Sequence, residues 1–176
     1  MNRRQFLVWS GASLAFGPAM VRAESGPDLQ VAPLDIEDAL AMLDQLQHRS
    51  VQKSGAWNLF QVYTHLAQSV EYSISGYPEH KSWLFKHTVG SLAFSVFSAK
   101  GSMHHGLDEE IPGAPPLQVQ GDVDLALQRL RDALLAFRDH SGPLQPHFAY
   151  GELSKDEYTQ AHVMHLNNHL EEFSVG

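Results

Sequence analysis

The sequence predicts an all-α fold, namely an antiparallel four-helix bundle with an extra inserted helix. Over several long stretches, apolar residues recur every three or four positions, which is the spacing of one helix face. Segments rich in glycine and proline separate these stretches, and no segment alternates apolar and polar residues as a half-buried strand would. Helices with one apolar face bury those faces against one another, and the result is a bundle.

The first 23 residues have the features of an export signal. Arg3 and Arg4 form a basic start, residues 6–20 are apolar, and residues 21–23 form a small-x-Ala cleavage site. The apolar run of about 15 residues is shorter than the ~20 residues that a membrane-spanning helix needs. A signal anchor or a buried first helix is the alternative interpretation.

The segment Arg3-Arg4-Gln5-Phe6-Leu7 resembles a twin-arginine signal, whose export route carries proteins that are already folded. The resemblance implies a periplasmic protein that has no stable membrane insertion after cleavage. We therefore expect a twin-arginine signal peptide over 1–23, a polar linker over 24–34 and one helical domain over 35–176.

The first two expected helices carry clear apolar stripes. Asp35 is a candidate N-cap for a helix that continues to about Arg49. A second helix, from Trp57 to about Ser75, ends at a Gly-Tyr-Pro segment. Between the two helices, residues 50–55 are expected to form a turn.

The remaining helices are less uniform. Residues 81–99 are apolar and aromatic and are expected to form the inserted helix, although serines and β-branched residues weaken the pattern. A loop rich in proline and glycine follows over 101–121. An amphipathic helix is expected over 122–140, and a Ser-Lys-Asp-Glu capping box at 154–157 opens a last helix that continues to about Phe173.

The composition excludes several classes of function. The chain has no cysteine, which excludes disulfides, thiolate metal sites, iron–sulfur clusters, cysteine nucleophiles and covalently attached haem. Lys and Arg number 12 against 20 Asp and Glu, and the resulting net charge of −8 argues against nucleic acid as a partner. The 11 histidines are the unusual feature of the composition.

The last expected helix places two histidines one turn apart. His165 and His169 are separated by about 40° around the helix axis and by ~6 Å along it. Two imidazoles at this spacing can share one metal ion, as they do in helical zinc motifs. His162 lies on the same side but two turns from His169, so these two cannot bind the same ion together. A third ligand has to come from another helix.

His65, on the inner half of the second expected helix, is the candidate third ligand. A bundle that turns His65 toward His165 and His169 makes a three-histidine site. Three protein nitrogens plus a water are the open coordination of a catalytic metal. The alternatives are hydrogen-bonded core histidines, a weak copper site at residues 103–105, and non-covalent haem held by bundle histidines.

These motifs resemble the DinB/YfiT superfamily of metalloenzymes, and within it a bacterial subfamily of unknown function. The second helix of that family has a tryptophan, then a metal histidine followed by leucine, matched here by Trp57 and His65. Its last helix carries a His-x-x-x-His-Leu-x-x-Phe signature, matched here over 165–173. A histidine-containing turn and a polar helix start precede that signature and are matched here over 147–158.

The resemblance covers residues 35–173 and implies a DinB-like bundle with His65, His165 and His169 as metal ligands. It implies a divalent metal ion, most often zinc or nickel, although three imidazoles also suit copper and iron. It further implies a metal-dependent enzyme of the hydrolase or thiol-dependent transferase type that acts on a small-molecule substrate. The alternative is a non-catalytic periplasmic metal-binding or sensing module, which a filled coordination sphere would favour.

Three positions depart from the pattern of the superfamily. Phe148 replaces the proline of the turn, Asn168 replaces a histidine often found beside the last ligand, and Glu172 stands where glutamine is usual. Because Glu172 follows His169 by three residues, it could orient a ligand, bind the ion as a fourth ligand or act as a general base. It could equally be a solvated acid at a frayed C-terminus.

Glu172 and Tyr72 are the candidate catalytic residues. Tyr72 follows His65 by one heptad in the same expected helix, so it could position a substrate together with Ser69. The aromatic-rich segment 83–97 could support a homodimer if it is not buried inside the protein.

Overall fold

The computed structural model describes residues 35–175, so the expected signal peptide and the whole of the expected linker lie outside the described residues. The described part is mostly helical, as predicted, and contains one small antiparallel sheet. No helix in it is long and apolar enough to cross a lipid bilayer. In chain order, the elements are α1 (Ile36–Gln47), β1 (Val51–Lys53), α2 (Leu59–Ser75), α3 (Trp83–Phe85), a π-helical turn (Lys86–Gly90), α4 (Ser91–Lys100), α5 (Val123–Asp139), α6 (Lys155–Leu170) and β2 (Phe173–Val175).

The main apolar core lies between α1, α2, α5 and α6. Helix α2 packs along α5, α1 contacts both α5 and α6, and α2 also contacts α6. Val62, Leu130 and Phe137 are among the fully buried side chains of this core. Complete burial of such a side chain contributes about 1.5–3 kcal/mol. This packing fixes α2 against α6, the two helices that carry the candidate metal ligands.

The helix starts follow the capping signals of the sequence. The side chain of Asp35 accepts a backbone hydrogen bond in the first turn of α1, and Ser154 forms the expected capping box at the start of α6. Helix α2 begins two residues after Trp57, because Asn58 and Gln61 form a capping box there, with each side chain accepting from the other residue's backbone N–H at 3.0 Å.

Lys155 joins the start of α6 to the end of α5. Its ammonium group donates to the carbonyl of Phe137 and, at 2.9 Å, to the carbonyl of His140. The same group lies 4.1 Å from the centre of the Phe137 ring. A cation at a helix C-terminus satisfies carbonyls that have no partner within the helix. The contact fixes where α6 starts relative to α5.

Two short strands lie where the sequence predicted a turn over 50–55 and the end of the last helix near Phe173. β1 and β2 pair antiparallel, with Val51 opposite Val175 and Lys53 opposite Phe173. Helix α6 therefore ends at Leu170 rather than near Phe173. Strands of three residues are too short to show an alternating pattern, and their pairing joins distant parts of the chain.

The sequence predicted one continuous inserted helix over 81–99. The structure instead has two helices, α3 and α4, with a π-helical turn between them. A Cβ on Gly90 would collide with the carbonyl oxygen of Ala149, so glycine allows this turn to pack directly against the loop before α6. Trp83 and Leu92 are 69% and 67% exposed. The aromatic-rich segment 83–97 is therefore not fully buried inside the protein, as a homodimer through this segment would require. The homodimer itself stays a prediction.

Candidate metal centre

Three histidines from two helices meet inside the protein. His65 lies in α2, whereas His165 and His169 lie one turn apart in α6. The ring centroids are 4.9 Å apart for His65 and His165, 5.3 Å for His65 and His169, and 5.1 Å for the pair within α6. One ring nitrogen from each residue lies within 4.8 Å of the other two. The structure thus brings the three predicted side chains into one group that could hold a metal ion.

The distances within this group fit a single small cation. The Nε2 atoms of His65 and His165 are 3.1 Å apart. Two imidazoles on a tetrahedral zinc ion, with Zn–N bonds of about 2.0–2.1 Å, hold their nitrogens roughly 3.3 Å apart. A hydrogen bond between these two rings would satisfy only that pair. Both ring nitrogens of His169 are buried and have no hydrogen-bond partner within residues 35–175. Such atoms are rare, and a cation would supply the missing interaction to His169.

The three rings are neutral at physiological pH, as metal ligands have to be. Burial lowers the pKa of His65 to about 3 and that of His169 to about 2, and neighbouring imidazoles add a smaller effect. The pKa of His165 lies well below its ordinary value, again mainly because of burial. Each ring therefore offers a lone pair to a cation without repelling it.

Trp57 covers one side of the histidine group. Its ring centroid lies 4.9 Å from that of His65 and 6.3 Å from that of His169, to which it is almost parallel. An indole at this position restricts the rotation of both imidazoles and keeps water from their apolar side. The tryptophan singled out in the sequence is therefore part of the wall of the candidate metal centre.

A cavity of about 370 Å³ lies beside His65 and His165. Its volume suits a small molecule, and its walls combine apolar and aromatic side chains with a few polar groups. The lining residues are His65, Ser69, Lys81, Phe85, Met103, His105, Glu109, Glu110, Ile111, Pro112, His147, Phe148, Ala149, Tyr150, Ala161, His162 and His165.

A family model described as a protein of unknown function, DUF1569, matches residues 25–175 of the chain. The chain belongs to the DUF1569 family. No curated protein and no solved structure matches it. Because membership of DUF1569 states no activity, the function has to be argued from the site.

Three other histidines of this DUF1569 domain line the cavity, and the hydrogen bonds of two of them, His147 and His162, exclude them as ligands through Nε2. Nδ1 of His147 accepts two backbone N–H groups at 3.1 and 3.2 Å, so the proton of the neutral ring lies on Nε2. The hydroxyl of Ser73 donates to the carbonyl of Val70, so Nε2 of His162 must be the donor in its 3.2 Å contact with Ser73. This agrees with the helical spacing, which already excluded His162 as a partner of His169.

Acidification is expected to destabilise the protein through His147 and His162. Burial lowers the pKa of both His147 and His162 to about 3, from an ordinary value of 6.5. The unfolded chain therefore takes up these protons first as the pH falls. The stabilisation that comes from keeping these two rings neutral is complete above pH 6.5 and is lost as the pH falls from 6.5 to 3. In this range, each histidine lowers the free energy of unfolding by roughly 1.4 kcal/mol per pH unit.

The measurement is urea unfolding at several pH values between 5 and 7, with metal removed by a chelator. His147→Gln should show a shallower dependence on pH than the wild type, whereas the exposed control His48→Gln should match it. Equal slopes for His147→Gln and the wild type would contradict the assignment of His147 as a buried neutral ring.

Tyr72, one of the two predicted catalytic residues, does not line the cavity. It is half-buried, and its ring packs 5.7 Å from that of Tyr77. Ser69, which lies one turn after His65, does line the cavity. A catalytic role for Tyr72 therefore stays a prediction to which the cavity gives no support.

Glu172, the other predicted catalytic residue, pairs with a buried lysine. Its Oε2 lies 2.6 Å from Nζ of Lys53, in an ion pair without hydrogen-bond alignment. The Lys53 side chain is 2% exposed, and that of Glu172 is 20% exposed. Strand β2 follows at once, so Glu172 is not a solvated acid at a frayed end. It balances a positive charge that is close enough to His169 to contribute to its lowered pKa. Its role as ligand or base stays a prediction.

The position of His105 was not predicted. Residues 103–105 were considered only as an alternative, weak copper site, whereas the His105 ring lies 4.8 Å from that of His165. One feature of the sequence could have indicated that His105 lies against the protein: the apolar residues Met103 and Ile111 occur in a loop rich in proline and glycine. Both are about 95% buried, and apolar residues of this kind hold a loop against the protein.

Proposed function

We propose that this DUF1569 protein is an exported metal-dependent enzyme, of the hydrolase or thiol-dependent transferase type, that acts on a small molecule. His65, His165 and His169 would hold one divalent cation. The observation that carries the proposal is a group of three neutral imidazoles, two buried and one half-buried, at the edge of a cavity of small-molecule size. A core histidine ordinarily makes hydrogen bonds, as His162 does, whereas His169 makes none within the described chain.

A DinB-like four-helix bundle is part of the same proposal. The contacts of α1 with α5, α5 with α2, α2 with α6 and α6 with α1 form a closed ring of four helices. The segment from α3 to α4 lies between α2 and α5 in the sequence, where the inserted helix was expected. The tryptophan and histidine signatures of the superfamily also converge at one place in this chain. These observations support the relationship.

Zinc or nickel is the proposed ion, as the resemblance to the DinB/YfiT superfamily implies, and imidazole nitrogens suit both. A bound ion of this kind supplies Lewis acidity and lowers the pKa of a coordinated water or thiol. The chain's own contribution is to hold the cation, to exclude water on the side of Trp57 and to place the cation at the edge of the cavity. Nε2–H of His147 offers a buried hydrogen-bond donor in the wall of the same cavity.

A non-catalytic periplasmic metal-binding or sensing module is the second candidate function. The observation that favours it is the imidazole of His105, which lies beside the group and could complete the coordination of the ion. A closed four-ligand site is typical of structural zinc, whereas a catalytic site keeps one position for water or substrate.

Export through the twin-arginine route agrees with either function. This route carries folded proteins, so the ion could be inserted in the cytoplasm before the protein reaches the periplasm. The periplasmic location is thus proposed together with the metal site.

The test is metal analysis of the protein, expressed without a tag and with residues 1–23 present, after purification from a periplasmic fraction. We expect close to one equivalent of metal in the wild type and in the exposed control His48→Ala, and a loss of at least tenfold in His165→Ala. Comparable metal content in His165→Ala and the wild type would contradict the site, and recovery only from the cytoplasm would contradict the proposed location.

A further inference from the structure

A fourth imidazole lies against the histidine group on the side of the cavity. The ring of His105 lies 4.8 Å from that of His165 and 5.6 Å from that of His169. The two separations bracket the 4.9–5.3 Å between the three helical histidines, and His105 lies outside the group whose ring nitrogens are all within 4.8 Å of one another. Rings bound to one tetrahedral zinc ion through Nε2 would have centroids roughly 5.2 Å apart, from the Zn–N bond length and the size of the ring.

The hydrogen bond of His105 suits a metal donor. Its Nδ1 lies 2.6 Å from the carbonyl oxygen of Gly106. A carbonyl only accepts, so Nδ1 is the donor in this contact, and Nε2 is the nitrogen that remains to bind a cation. A carbonyl bonded to the second nitrogen is also the usual device that orients a metal-binding histidine.

The loop that carries His105 is fixed to α6 beside the candidate ligands. Asn168 is 3% exposed and precedes His169 directly. In the amide orientation that satisfies both of its polar atoms, it donates to the carbonyl of Met103 at 3.2 Å and accepts from the backbone N–H of His105 at 3.3 Å. Met103 is itself buried against α6. These contacts fix the position of His105 relative to α6, the helix that carries His165 and His169.

We propose that His105 is a fourth nitrogen donor to the metal ion, an inference that rests on the three-histidine site proposed above. His65, His165 and His169 are fixed by their helices, whereas His105 belongs to the loop between α4 and α5. A donor on a loop can leave the ion without moving a helix. His105 therefore closes the coordination sphere on the cavity side, and a small anionic or thiol ligand that enters the cavity displaces it.

The test is cobalt(II) binding to the untagged full-length protein in competition with a chromophoric chelator. His105→Ala should keep a stoichiometry of one ion but bind it about 10- to 100-fold more weakly than the wild type. His104→Ala is the matched control, because its side chain is 69% exposed and adjoins His105 in the sequence. Added imidazole should restore the visible cobalt spectrum of His105→Ala toward that of the wild type.

A second measurement shows whether His105 binds the metal ion or only lines the cavity. Azide, used as a small anionic probe of the cobalt form, should bind His105→Ala more tightly than the wild type, because no protein donor has to be displaced. Equal cobalt and azide affinities in His105→Ala and His104→Ala would overturn the proposal while leaving the three-histidine site in place. Unchanged cobalt binding in His165→Ala would instead overturn the proposed function on which it rests.

Discussion

Replacing His169 with leucine should abolish metal binding and raise the free energy of unfolding of the metal-free protein by about 1–3 kcal/mol. His169 is 0% exposed, and neither of its ring nitrogens has a hydrogen-bond partner in the described chain. A buried polar group without a partner costs about 1–3 kcal/mol, which leucine does not incur. Leucine can also keep an apolar contact with Trp57, but it has no lone pair for a cation.

The measurement is urea unfolding of the wild type and His169→Leu, first in the presence of a chelator and then with added zinc. Zinc should stabilise only the wild type. His162→Leu is the matched control in the same helix, since that ring donates to Ser73, and its replacement should lower stability by about 1 kcal/mol. A leucine variant that is less stable than the wild type without metal, or is still stabilised by zinc, would refute this description of His169.

Replacing Glu172 with glutamine should lower the free energy of unfolding by about 2–4 kcal/mol. The Lys53 side chain is 2% exposed and has the Glu172 carboxylate 2.6 Å away as its counter-charge. Loss of one partner from a buried ion pair leaves an uncompensated charge, and partial exposure of Glu172 moderates the cost. Metal affinity should fall as well, because the unbalanced ammonium group lies near His169.

A double-mutant cycle tests the ion pair directly. Lys53→Met combined with Glu172→Gln should recover most of the stability lost by Glu172→Gln alone, because both charges are then absent. Chemical unfolding gives the stability, and competition with a chelator gives the metal affinity of the same proteins. If Glu172→Gln is as stable as the wild type, the Lys53 ammonium group is solvated and the pair is not structural.

Local signals in the sequence predicted much of the helical framework. Asp35 and Ser154 cap the helices that they were expected to cap, and the apolar stripe of α2 faces the core. Helix geometry alone also places His165 and His169 one turn apart, so this half of the candidate site follows from their spacing. Each of these features depends on residues that are close together in the chain.

The parts that were missed depend on contacts between distant residues. Strand β1 exists because β2 pairs with it, and three residues of either strand carry no periodic signal. His105 lies in a loop whose path is set by Met103 and by the amide of Asn168 on another helix. Similarly, nothing near Glu172 in the sequence indicates that Lys53 would be buried beside it.

The β1–β2 pair has a practical consequence for handling the protein. β1 shortly precedes α2, and β2 follows α6 by two residues, so the pair joins the start of one histidine-bearing helix to the end of the other. Any polypeptide fused after Val175 would extend from the strand that begins four residues after His169. A carboxy-terminal polyhistidine tag would therefore follow the candidate ligands closely in the chain and could compete with them for a metal ion, whereas cleavage just before β2 would remove the strand pairing that joins the two helices at that end.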